Sequence, residues 1–465
     1  MLTLGIDSST QGVKAVVWDT VARKVAWSAA VNYGRDLPQY GSPDGFLPND
    51  DVLVRHANPR MWVEGLELVL AKLQATGCPM DRIAAIGGDA QQHATVYLES
   101  LDPLVFSRPT SPIWMDSSTS AECAALDAKF GSRLQSGTGS PAIERFAGPQ
   151  IMKFAKTDSA AYAKTRRIHL LSSFLASYLT GADMPVDMGD GAGMNLLDLK
   201  TGAWDAAICE FTAPGLKEKL PEVATQPKSA PLAERFAKFG LRPGIPVVPF
   251  TGDNPASLVG CFAEKPGTAV ISLGTSDVFF AAMETFRTDP DGYGHVFGNP
   301  MGGFMSLSCF KNGSLARERV RRELGVDWTF FDETAWKQSA VQPSTSNLQP
   351  HPRAFPYFEA EITPKHDATG IEANFDWASA APDVKVRAIV EGQIANMYER
   401  TRWIHLRQGC GGQVGDFGEI KVTGGASRSK GIRETIARIF GAKVTVLDVA
   451  DSAAVGGARL AASAV

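Results

Sequence analysis

Apolar and polar positions sort into short runs near both ends of the chain and around its middle. Leu2 to Ile6 is one apolar run and Val13 to Trp18 another, with Asp7-Ser8-Ser9-Thr10-Gln11-Gly12 between them. Two such runs joined by a polar tip predict a β-hairpin. The pattern returns at Thr268 to Leu273, where Gly274-Thr275-Ser276-Asp277 forms the tip and Val278 to Ala281 the returning strand. One strand, tip and strand unit in each half predicts a duplicated architecture. Between the copies, Arg242-Pro243-Gly244-Ile245-Pro246 supplies proline and glycine punctuation just before the apolar Val247-Val248-Pro249-Phe250. That predicts a linker over 241–249 and two lobes, 1–244 and 245–465. Val386, Ile389, Val390, Ile394 and Met397 keep helical spacing and predict a packed helix in the second lobe. Late strands are expected at Ile420 to Thr423 and Val444 to Leu447, bracketing a glycine-rich loop and a helix. Strands alternating with helices make the class α/β.

Composition narrows the field. The 465 residues are 44% hydrophobic and 21% charged, enough for two sizeable cores. Basic and acidic side chains number 46 and 50, leaving a formal charge of -4 and no sign bias that would hold a nucleic-acid backbone. No apolar stretch reaches the length of a spanning helix, and no membrane partner is expected. The N-terminus shows neither a basic leader nor a small-residue cleavage site. Cys78, Cys123, Cys209, Cys261, Cys309 and Cys410 are scattered, without a CxxC pair or histidines at zinc spacing. They read as the reduced thiols of a cytoplasmic protein.

The Asp7 to Gln11 tip combines a carboxylate, hydroxyls and turn amides, which suits a magnesium-bound phosphate, and Lys14 adds a cation. Asp, Ser and Gly are also ordinary tip residues. The second tip, Gly274-Thr275-Ser276, favours the phosphate reading, because two facing tips can grip successive phosphates of one nucleotide. Thr423-Gly424-Gly425-Ala426-Ser427, between a strand and a helix beginning near Gly431, is either a plain turn or a loop that admits a flat or anionic ligand. Neither a Walker lysine motif nor GxGxxG is present. Asp253 follows an apolar strand and opens a run of small residues; it reads equally as a helix N-cap or as an exposed general base. Ile83 to Ile86 predicts a strand ending in Gly87-Gly88-Asp89-Ala90-Gln91-Gln92-His93, a set that either binds the hydroxyls of a small polyol or is a polar loop with His93 bonded to backbone. Trp114-Met115-Asp116 and Glu144-Arg145-Phe146 line the same pocket or are structural.

Taken together, Gly5-Ile6-Asp7-Ser8-Ser9-Thr10-Gln11, Gln91-Gln92-His93, Trp114-Met115-Asp116, Gly252-Asp253-Asn254, Leu273-Gly274-Thr275-Ser276 and Gly424-Gly425-Ala426-Ser427 resemble the FGGY carbohydrate kinases and, within them, the xylulose kinases. The motifs stand in family order from Leu2 to Asp451-Ser452-Ala453-Ala454-Val455-Gly456-Gly457-Ala458. The resemblance implies two ribonuclease-H-like lobes of the actin and hexokinase type, with mixed sheets flanked by helices and a cleft between them. It implies ATP and Mg2+ as cofactors, D-xylulose as acceptor, and a homodimer. Asp253 takes the position of the base, and Asp7 and Asp253 that of the magnesium ligands. Gln92, His93, Arg145, Asp253 and Asn254 match sugar positions. Thr10, Gln11 and Lys14 lie by the phosphates with Gly274 and Thr275 opposite, while Trp328, Gly425, Ala426 and Ser429 border the nucleoside. Ser429 departs from the small amide side chain common there. Other acceptors (ribulose, gluconate, glycerol) stay open, as does a distant reading as an actin- or chaperone-type ATPase switch. Asp7 and Asp253 argue against a catalytically silent sugar-binding protein.

Overall fold

The computed structural model describes residues 1–225, 228–335, 352–405, 417–447 and 451–465; Cys410 lies outside them. The first apolar runs form β1 (Leu2–Ser8), β2 (Gly12–Asp19) and β3 (Lys24–Asn32), an antiparallel meander. A helix, α1 (Pro59–Ala75), carries the chain back to β4 (Ile83–Ala90), parallel to β1. Asn58 caps α1 by accepting from the Arg60 amide, and Pro59 fits the first turn, where its missing N–H costs nothing. Met61, Trp62, Leu66, Val69, Leu70 and Leu73 keep one apolar stripe, wholly buried against the sheet.

The linker expected over 241–249 is corrected here. Gly244 does turn the chain, at φ +81, but the turn serves the first sheet. The segments β5 (Pro246–Val247) and β6 (Thr251–Gly252) both pair parallel to β4, with Ala230–Pro231 antiparallel to β5, completing a seven-stranded sheet. Strand pairing therefore carries the first lobe beyond 244, at least to Gly252. Helix α2 (Asp253–Gly260) follows at once.

The second sheet contains β7 (Thr268–Leu273), β8 (Asp277–Met283), β9 (His295–Gly298), β10 (Phe304–Phe310), β11 (Glu419–Thr423) and β12 (Lys443–Val446), in the order β9-β10-β8-β7-β11-β12. As in the first sheet, an antiparallel hairpin, β7 with β8, adjoins a strand parallel to its first member, β11. The duplication is thus real in topology, though little of it survives in residues. Helices α3 (Ser314–Glu323), α4 (Trp328–Ala335), α5 (Pro382–Thr401) and α6 (Lys430–Phe440) belong to this half.

The last helix, α7 (Ser452–Ala462), returns to the first lobe, packing on β1 and β4 and along α2. Glycines set that approach: a Cβ on Gly456 would lie 1.9 Å from the Ala256 carbonyl oxygen, and one on Gly457 2.6 Å from Gly88 Cα. One apolar core fills the space between the first sheet and α1. A second runs from the second sheet into the helical segment that includes Phe146, Ile151 and Leu199. Within that second core the first-lobe segment meets the second sheet along a seam where the Val296 amide donates to Gly139 O (3.0 Å) and His295 Nδ1 is hydrogen-bonded to Ser140 Oγ (3.0 Å). None of the described helices is long and apolar enough to cross a membrane.

Candidate active site

The β1–β2 tip is held by the Ser9 amide and hydroxyl, both donating to Gly12 O. Ser9 and Gln11 are exposed. The Thr10 hydroxyl donates toward Gln91 Oε1 (3.4 Å) and accepts from Trp114 Nε1 (2.7 Å), tying the tip to the cleft wall. Asp7 stands opposite Lys14 in one ladder and Asp89 in the other. Lys14, expected beside the phosphates, is ion-paired with Asp451, the residue preceding α7.

Three carboxylates converge below this tip. Asp7 Oδ1 and both oxygens of the fully buried Asp89 accept from no neighbouring donor, and the two carboxyls lie within hydrogen-bonding reach of each other. Burial raises Asp7 to about 6, and burial with the charges of Asp7 and Asp253 pushes Asp89 well above the usual carboxylate range. Asp253 rises to about 7 through burial and then the charge of Asp7, opposed by neighbouring backbone amides. The N-cap of α2 is Gly252, in extended backbone, so Asp253 is the first helical residue rather than the cap. Its Oδ1 accepts from the Asn254 amide (2.9 Å) and Asn254 Nδ2 (3.1 Å), and Asn254 Nδ2 also donates to Gln92 Oε1 (2.9 Å). A side chain on Gly252 would strike Gln92 Cγ at 2.5 Å. The outcome is a fixed carboxylate, raised toward neutrality, between the Gln92–Asn254 pair and Asp7.

Next to Gln92, His93 sits at φ +71, rare for a residue with a Cβ. Its Nδ1 bonds Gly193 O (2.9 Å), so that nitrogen carries the proton and Nε2 is left as an acceptor. Burial holds the ring neutral, and it stacks on Phe146 at 4.4 Å and 20°. Trp114, Met115, Asp116, Ser117, Glu144 and Arg145 line an open concavity of about 270 Å³. Asp116 spends its carboxylate internally, accepting from Gln150 Nε2 (2.8 Å) and the Arg55 amide (2.9 Å). It supports the wall; the indole of Trp114, 45% exposed, faces out.

In the second lobe Thr275 is exposed at the β7–β8 tip, and the Gly274 amide donates to Ser276 O. At its foot Asp277 and Arg317, each 2% exposed, form a bidentate pair (2.7 and 2.8 Å), and Arg317 also donates to Ser314 Oγ and Gln393 Oε1. Gly424, at φ +88, approaches so closely that a Cβ would meet Leu273 O at 2.5 Å, which sets its loop beside the tip; Gly425 faces open space. Ser429 differs from expectation. Its hydroxyl donates to Asp332 Oδ1 on α4 and accepts from the Ile432 amide, capping α6. With its proton committed to Asp332, the hydroxyl can serve a ligand only as an acceptor, through its remaining lone pair. The same bond joins the loop to α4, where Trp328 is 51% exposed with the Arg321 guanidinium 5.0 Å from its ring.

Sequence reading gave Asp89 only a place in the polar set that ends at His93, and it passed over Asp332 and the Asp277–Arg317 pair. Asp89 had one usable signal, a carboxylate in a strand that is otherwise apolar or glycine. Among the described residues no group of three or more His, Cys, Asp or Glu side chains forms a metal cage. The unpartnered oxygen of Asp7 nevertheless fits a hard cation shared with phosphate oxygens, the usual manner for magnesium.

The profile of the N-terminal domain of the FGGY family of carbohydrate kinases matches residues 2–260, and that of the C-terminal domain matches 269–465. The chain belongs to this family. Relatives of this FGGY kinase include the xylulose kinase of Rattus norvegicus, 39% identical over 98% of this chain and 87% of the rat protein, and xylulose kinase 2 of Arabidopsis thaliana, 36% identical over 99% and 87%. Its fold is shared with xylulose kinase from Rhodospirillum rubrum (TM-score 0.82, 18% identity, 100% of this chain and 90% of that one). It is equally shared with Plasmodium falciparum glycerol kinase with ADP (TM-score 0.81, 17% identity, 99% and 89%). The two-lobed, actin-like architecture of the FGGY kinases is therefore that of this chain.

Proposed function

We propose that this FGGY kinase transfers the terminal phosphoryl group of ATP to the 5-hydroxyl of D-xylulose, with Asp253 as the base. The observation that carries this is the placement of Asp253. Its Oδ1 is bound to Asn254, which also holds Gln92 on the sugar side, and its charge is coupled to Asp7 on the phosphate side. His93 Nε2 is poised to accept from a sugar hydroxyl, while Gln92 and Asn254 present amides. Arg145 completes the set expected around the sugar. The sugar's identity is supported by relatives named xylulose kinase in animals and plants.

As the sugar oxygen attacks, its proton passes to Asp253, a step worth about 10²–10⁴-fold. The amides and hydroxyls of Thr10 and Gln11, with Gly274 and Thr275 opposite, orient the phosphates, and Trp328, Gly425 and Ala426 border the nucleoside. Magnesium, held by Asp7 and Asp253 together with phosphate oxygens, would supply charge neutralisation. A cytoplasmic setting fits the free thiols of Cys78, Cys123, Cys209, Cys261 and Cys309.

The test is ADP release with D-xylulose, ribulose, gluconate and glycerol in turn. D-xylulose should lead in kcat/KM by about tenfold or more. A lead by another acceptor would overturn the substrate, and sugar-independent turnover would overturn the kinase reading.

A further inference from the structure

The first phosphate tip is framed by its surroundings on both sides. The Tyr33 amide donates to Gln11 O (2.9 Å), and the Gln91 amide donates to Ser8 O (2.9 Å). Gly45, at φ +86, packs so near that a Cβ there would lie 1.9 Å from Thr10 O. The main chain of the tip is therefore fixed, and the β-branched side chain of Thr10 is stiff at χ1. What stays open is the direction of its hydroxyl proton.

Two neighbours decide that direction. Trp114 Nε1 donates to Thr10 Oγ1 at 2.7 Å, whereas Thr10 Oγ1 reaches Gln91 Oε1 only at 3.4 Å. An indole N–H can only donate, so it occupies a lone pair of the hydroxyl and the threonine proton must point elsewhere. Its present acceptor lies beyond the usual O–H···O range of about 2.5–3.0 Å, so that proton is weakly held. The indole stands on a turn that is itself fixed. The Ile113 amide donates to Arg55 O, the Asp116 amide donates to Ile113 O, and the buried Asp116 carboxylate accepts from the Arg55 amide. Because Trp114 also lines the open concavity, its N–H ties the wall of that concavity to the phosphate tip.

We propose that Trp114 is a positioning residue for the nucleotide: by filling one lone pair of Thr10 it keeps that hydroxyl a donor, turned away from the indole and available to a phosphate oxygen of ATP. This rests on the reading of the protein as an ATP-dependent D-xylulose kinase. A phosphate oxygen is a charged acceptor and outcompetes the long contact to the Gln91 amide oxygen. The role belongs to the N–H alone, so it can be tested apart from any contact that the face of the ring makes.

The experiment compares Trp114→Phe, Thr10→Val, their double variant and Thr10→Ser with the wild type, reading calorimetric Kd for ATP with magnesium, Kd for D-xylulose, and Tm. Trp114→Phe keeps an aromatic face and deletes the N–H: Kd for ATP should rise about three- to tenfold, while Kd for D-xylulose stays within about twofold. Thr10→Val should raise Kd for ATP about tenfold or more, and Thr10→Ser should stay near the wild type. The double variant should bind ATP no more weakly than Thr10→Val alone, since both changes break one linkage. Additive losses, or an unchanged Kd for ATP in Trp114→Phe, would overturn the proposal. Loss of D-xylulose affinity alone would make the N–H a sugar ligand and overturn it as well. If Trp114→Phe does not fold, by Tm, the Thr10 variants decide: a loss in Thr10→Val that is absent in Thr10→Ser upholds the proposal, and wild-type ATP affinity in Thr10→Val overturns it. A wild type that binds no ATP would bring down the proposed function and this inference together, whereas one that binds ATP but not D-xylulose would bring down the substrate alone.

Discussion

Asp253 is where chemistry and stability pull apart. Replacing it with Asn should lower kcat by about 10²–10⁴-fold while leaving ATP affinity, read by calorimetry, nearly unchanged. Its folded-state value, about 7, lies above the ordinary carboxylate value of 3.8. Below 3.8 both states hold the proton; between the two values only the folded state does, so the contribution to stability falls as pH rises and levels off above 7. Asp253→Asn should therefore have a higher Tm than the wild type at pH 8 and an equal one at pH 4, seen by differential scanning fluorimetry. The activity of the wild type should rise with pH along an acid limb with its midpoint at or below 7, because a cation beside Asp7 removes the charge that raises Asp253. Asp7, His93 and Asp253 could be singled out from sequence because each sits inside a short motif with its partners. The complete burial of Asp89 could not, since burial is a property of space.

Hairpins were the most legible elements: a polar tip between two apolar runs is a local signal, and both stand where the pattern placed them. The segments β5 and β6 were misread, because proline and glycine mark a turn equally well inside a sheet and between lobes. Capping at the start of α6 was equally hidden, its partner Asp332 lying 97 residues from Ser429. This geometry makes Ser429→Ala a test of cap against ligand. It should cost about 1 kcal/mol in urea unfolding and leave KM for ATP nearly unchanged; a large rise in that KM with no stability loss would return the serine to the nucleoside.

Two lobes with a base between them must exclude water, or the base would activate it and waste ATP. Closure on the acceptor follows, and D-xylulose should reduce the radius of gyration measured by small-angle scattering; no change at saturating sugar would count against it. The seam from Gly139 to His295 limits how that motion can run. With main-chain and side-chain bonds already made there, movement is expected at the opposite mouth, around Thr10 and Thr275.

The packing of α7 on β1 and β4 has a consequence for how the molecule is made. Domains usually fold as they leave the ribosome, N-terminal part first. Here the sheet begun by residue 2 keeps a bare face, lined by Gly5 and Gly87, until residues 452–462 emerge to cover it. During almost the whole of translation that surface is free to meet other nascent chains. The first lobe is thus among the earliest parts synthesised and the last to be finished.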